Sequence, residues 1–73
     1  MENINGYDII NAACESLHLA EEKARDGRLI NAALYLGQTY AFLEIAYHAC
    51  GYVESDALSD RISDLEDLLT SRK

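Results

Sequence analysis

Proline and tryptophan are absent from this 73-residue chain, phenylalanine and methionine occur once each, and glycine occurs only four times. With so little to interrupt the backbone, the sharp punctuation reduces to Gly6, the Asp26-Gly27 pair and Gly51. Two cysteines cannot form a disulfide framework, so a reducing, cytoplasmic compartment is the expectation. No signal peptide, polybasic tract or lipidation motif is read in the chain. Basic residues are scarce as well: six Lys and Arg stand against thirteen Asp and Glu, a formal net charge of −7. Such a balance favours solubility and repels nucleic acid and anionic membranes, so neither is an expected partner, whereas a protein with a basic surface is. At this length, residues 1–73 make one helical domain, near the size where a single core is marginal and oligomerisation helps.

What the chain does contain is a long apolar stretch, Leu29 to Val53, whose strongly polar side chains are only Asn31, Gln38, Glu44 and His48. At roughly 100° per residue its apolar positions fall all round the cylinder, the signature of a buried helix. Leu29, Leu36, Tyr40, Leu43, Tyr47 and Cys50 gather on one side. Leu34, Tyr35, Phe42, Ile45 and Ala49 gather on the other, with Asn31 and Gln38 among them. Two apolar faces need two sets of neighbours. Either the other helices of the chain cover both, or the face carrying Phe42 and Ile45 docks onto a second chain; the second reading is adopted, with Tyr35 as interface anchor. Asn31 and Gln38, one heptad apart, would then be buried registration points. Ala33, Gly37 and Ala41 form a ridge of small residues that permits close approach of a neighbour. The polar side chains and the lack of a basic flank oppose a membrane span.

The remaining segments are amphipathic. Tyr7 to Arg25 reads as a helix with Asn3 or Asn5 as N-cap and with Ile10, Ala13, Cys14, Leu17, Ala20 and Ala24 at helical spacing. Asp26-Gly27 is a turn short enough to make the first two helices antiparallel neighbours, with Leu17 level with Gly37. Gly51 ends the second helix. A third begins at Ser55 or Asp56 and carries Leu58, Ile62, Leu65 and Leu69 as a seam about two heptads long. Its outer side bears the acidic row Asp56, Asp60, Asp64 and Asp67, with neighbouring carboxylates roughly 5–6 Å apart.

Chemistry-bearing constellations are weak. Cys14, His18, His48 and Cys50 have the composition of a zinc site, but His48 and Cys50 point about 200° apart and lie far along the axis from Cys14. No metal and no cofactor is expected. Glu44 and His48 have acid–base spacing without a nucleophile or phosphate loop beside them, so no catalytic residue is assigned and the chain is not read as an enzyme.

The pentapeptide Cys14-Glu15-Ser16-Leu17-His18 resembles one in the plasmid copy-control protein Rop, a two-helix chain that dimerises into a four-helix bundle. Five residues are shared, the basic RNA-binding face of that family has no counterpart, and no property is carried over. Leu36-Gly37-x-x-Tyr40 resembles part of a tetratricopeptide repeat, but its downstream positions differ.

The expected fold is all-α, an antiparallel helical hairpin plus a shorter third helix, assembled as a dimeric bundle. The expected function is a small acidic protein-binding module that regulates or inhibits a larger protein, by analogy of type a phage- or plasmid-encoded inhibitor of a host or defence protein. The partner-binding candidates are Tyr35, Phe42, Ile45, Asp56, Asp60, Asp64 and Asp67. The alternatives are a binder of nucleotides or metabolites that uses the tyrosines and His48, and a structural assembly subunit.

Overall fold

In a computed structural model the described residues are 6–71, with side chains from Asp8 onward; the N-cap expected at Asn3 or Asn5 lies outside them. Three helices follow one another, α1 (Gly6–Arg25), α2 (Leu29–Cys50) and α3 (Asp56–Ser71), and no strand occurs among the described residues.

The turn after α1 has a local cause. Gly27 takes φ 81°, a left-handed conformation that costs glycine nothing. The N–H of Arg28 then reaches the Lys23 carbonyl at 2.9 Å and that of Gly27 the Ala24 carbonyl at 3.1 Å, which satisfies the helix end and reverses the chain. The resulting hairpin is tightly packed because α1 offers alanines to it: Ala13, Ala20 and Ala24 are buried, with Leu17 fully enclosed among them. Ser16 donates to Gln38 Oε1 at 3.3 Å, which locks the register. These residues lie equally far before and after Gly27, continuing the level predicted for Leu17 and Gly37.

On α2 the buried side chains are Ala32, Leu36, Thr39, Leu43 and Ala46. Steps of four and three residues place them on one stripe. Thr39 is wholly enclosed, and its hydroxyl donates to the Tyr35 carbonyl at 3.0 Å, so burial leaves no unsatisfied polar group there. The helix that looks buried all round in the sequence is therefore covered along a single line.

Gly51, at φ 71°, ends α2, its N–H bonding to the Tyr47 carbonyl at 2.8 Å. Ser55 caps α3, its hydroxyl accepting the Leu58 N–H at 3.2 Å. Leu58, Ile62 and Leu65 complete the core, with Tyr35, Phe42, Tyr52 and Leu69 packed at its margin. Helix α3 lies less closely on the hairpin than α1 and α2 lie on each other. It is tied to both by polar contacts: Arg61 donates twice to Glu21 of α1, at 2.8 and 3.1 Å, and the Tyr40 hydroxyl of α2 donates to Glu66. The molecule measures 46 × 24 × 14 Å, and its radius of gyration of 12.8 Å exceeds the roughly 11 Å of a compact chain of this length. Such a thin slab leaves the outer side of α2 with no element among the described residues to cover it.

Candidate protein-binding surfaces

Three surfaces stand out, and each is set by a helix whose other side is committed to the core. The first is the outer side of α2. Counting roughly 100° per residue from the buried stripe, Ile30, Leu34, Gly37, Ala41 and Ile45 fall on the opposite side. All five are exposed, Ile30 by 79%, Leu34 by 64% and Ile45 by 47%. Of the side chains expected to form one docking face, Ile45 belongs to this surface. Tyr35 and Phe42 do not share it: both turn partway toward the buried stripe and pack against the chain's own core cluster. The physical reason is angular, since Tyr35 and Phe42 stand roughly 60–80° from the centre of the buried stripe, within reach of the α1–α2 seam. Asn31 and Gln38 are exposed, not buried, and Gln38 serves as registration within the chain through Ser16. Ile30 escaped the sequence reading, although its angular position beside Leu34 was available.

The second surface is the acidic row. Asp56, Asp60, Asp64 and Asp67 are all exposed, and they lie about 180° from the stripe of Leu58, Ile62 and Leu65. Burying that stripe therefore forces the row outward. Arg61, the one basic residue among them, is turned to Glu21, so it does not neutralise them. The Arg61 guanidinium, bonded to Glu21, holds that carboxyl below its ordinary range and is itself held more firmly protonated.

The third surface is an open groove of about 600 Å³ between the end of α2 and the segment leading to α3. Tyr40, Tyr47, His48 and Tyr52 line it with Leu43 and Val53, and Glu44 and Glu54 stand at its edge. The Tyr47 and His48 rings meet edge to face with centroids 5.2 Å apart. Burial, the bond to Glu66 and the nearby carboxylates push the Tyr40 hydroxyl up to about 12, so it stays a neutral donor. The sequence signal for this groove was the tyrosine content; its location depends on how the chain leaves Gly51.

The cysteine and histidine residues are not gathered into a site. Cys14 is half-buried and Cys50 exposed, both as free thiols, and His18 pairs with Glu22 at 3.1 Å on its own helix. Among the described residues no group of three or more His, Cys, Asp or Glu could hold a metal ion. No helix among them is long and apolar enough to cross a membrane. Comparison with protein-family models, curated proteins and solved structures finds no match.

Proposed function

We propose that this chain is a small acidic protein-binding module that acts as a homodimer and regulates or inhibits a larger protein. The observation that carries the reading is the division of its surface. Charge is concentrated on α1 and α3, while the outer side of α2 is apolar and uncovered. An apolar face of this kind suits self-association, and a solvated carboxylate row suits a basic partner surface. Dimerisation through α2 would leave Asp56, Asp60, Asp64 and Asp67 free on the outside of each copy. The row would draw in a basic protein by long-range attraction that weakens with salt.

Capture of partners from a cell lysate on the immobilised protein tests this. One stoichiometric basic protein should be retained, and should be released when all four aspartates are changed to Asn. Retention of the same protein by the Asn variant, or no stoichiometric protein at all, would overturn the reading. A second reading, a binder of nucleotides or metabolites, is favoured by one observation, the tyrosine-lined groove. A thermal shift on adding such compounds, lost in Tyr47→Ala, would support it in place of the first.

A further inference from the structure

The outer side of α2 carries more information than its exposure. Its exposed large side chains are Ile30 and Leu34 near one end and Ile45 near the other, with Gly37 and Ala41 between them. Helix α2 contains no Lys or Arg, and its single carboxylate, Glu44, flanks this line roughly 60° from its middle, on the side of the tyrosine groove. In a molecule of net charge −7, this is the side on which two copies can meet without opposing their acidic rows. A basic partner would be drawn to α1 and α3, so the chemistry of this face suits an equally uncharged apolar surface.

We infer that the face is covered by the same face of a second copy, the two α2 helices running antiparallel about a two-fold axis at residues 37–38. The inference rests on the dimeric reading above and supplies its geometry. A two-fold contact must be self-complementary, and it buries a patch most completely when the axis passes through the middle of the patch. The apolar line runs from Ile30 to Ile45, about 22 Å at 1.5 Å per residue, and its middle falls between Gly37 and Gln38. An axis there sets Ile30 of one copy against Ile45 of the other, an apolar pair at each end, and Leu34 against Ala41, a small partner that leaves it room. Gly37 lies at the crossing point. A Cβ built there meets nothing within 4 Å, so no contact among the described residues calls for glycine. Close approach of a second backbone would account for it.

The test is disulfide trapping in the full chain with Cys14 and Cys50 changed to Ser, combined with sedimentation equilibrium. The protein should be a dimer at micromolar concentration. Mixing Ile30→Cys and Ile45→Cys chains under mild oxidant should give the mixed covalent dimer in preference to either self-linked one. Leu34→Glu should yield a monomer with unchanged helical circular dichroism, because Leu34 stands exposed on the side of α2 away from the core. Self-linking of Ile30→Cys in preference to the mixed pair would overturn the antiparallel arrangement and leave the dimer standing. A dimer that survives Leu34→Glu would overturn the choice of face. A wild-type monomer at high micromolar concentration would overturn the geometry and the dimeric reading together.

Discussion

Replacing Gly37 by alanine separates what this residue costs the single chain from what it allows between chains. Gly37 sits in the middle of the 22-residue α2, exposed, with open space where a Cβ would stand. In a helix interior glycine is less stable than alanine by about 0.5–1 kcal/mol, because its unfolded chain has more conformations to lose. No contact among the described residues offsets that cost, so Gly37→Ala should recover nearly all of it in the monomer. For a domain of 60–100 residues, 1 kcal/mol moves the melting midpoint by roughly 4–8 °C, so the expected rise is about 2–8 °C. Thermal unfolding followed by far-ultraviolet circular dichroism is the assay, run in the Leu34→Glu background so that association does not contribute. A midpoint that fell would mean that part of the chain already occupies the space beside Gly37. The outer side of α2 would then not be an uncovered face.

Leu17 is fully enclosed at the heart of the hairpin, and Leu17→Ala should cost roughly 3 kcal/mol or more, a large share of the stability of so small a domain, measurable by urea denaturation. Gly51→Ala forces a Cβ onto a φ of 71° with no steric clash to add, so urea denaturation should show a loss of about 1–2 kcal/mol from conformation alone. The folded state holds Tyr40 protonated up to about 12, whereas the unfolded chain releases that proton near its ordinary value. Stability should therefore decline as pH rises from about 10 through 12. Denaturation midpoints of Tyr40→Phe should decline less over the same range. Glu21 behaves in the opposite sense: its carboxyl is held low by Arg61, so its contribution is present above the ordinary carboxylate range and lost as pH falls through its folded value. Glu21→Gln should start less stable at neutral pH and show a shallower acid limb, read by the same titration of midpoints.

The helices themselves were legible because their boundaries rest on local chemistry. Gly27 and Gly51 end α1 and α2, and Ser55 begins α3, each through backbone geometry or a cap that short-range sequence can specify. The seam of α3 was equally plain, since Leu58, Ile62 and Leu65 are buried and its aspartates stand opposite. The covered side of α2 was not legible. Its apolar residues surround the axis, so angular spacing alone cannot say which line meets a neighbour. What decides the matter lies on α1, whose alanines admit close packing and whose Ser16 pulls Gln38 to its side. This is why Tyr35 and Phe42 turned out to rest against the chain's own core, while Leu34 and Ile45 remained outside. The groove at Tyr40, Tyr47 and Tyr52 depends on the path of the segment after Gly51, a long-range outcome that no local pattern encodes.

Helix α3 rests on the hairpin through a short apolar stripe and is fastened at two points, Arg61 to Glu21 and Tyr40 to Glu66. Both fasteners lie at the surface, where water competes for them. The hairpin, by contrast, is closed along most of its length. The molecule is thus a rigid rod with a detachable strut, and amide hydrogens of the strut should exchange with deuterium well before those of the rod.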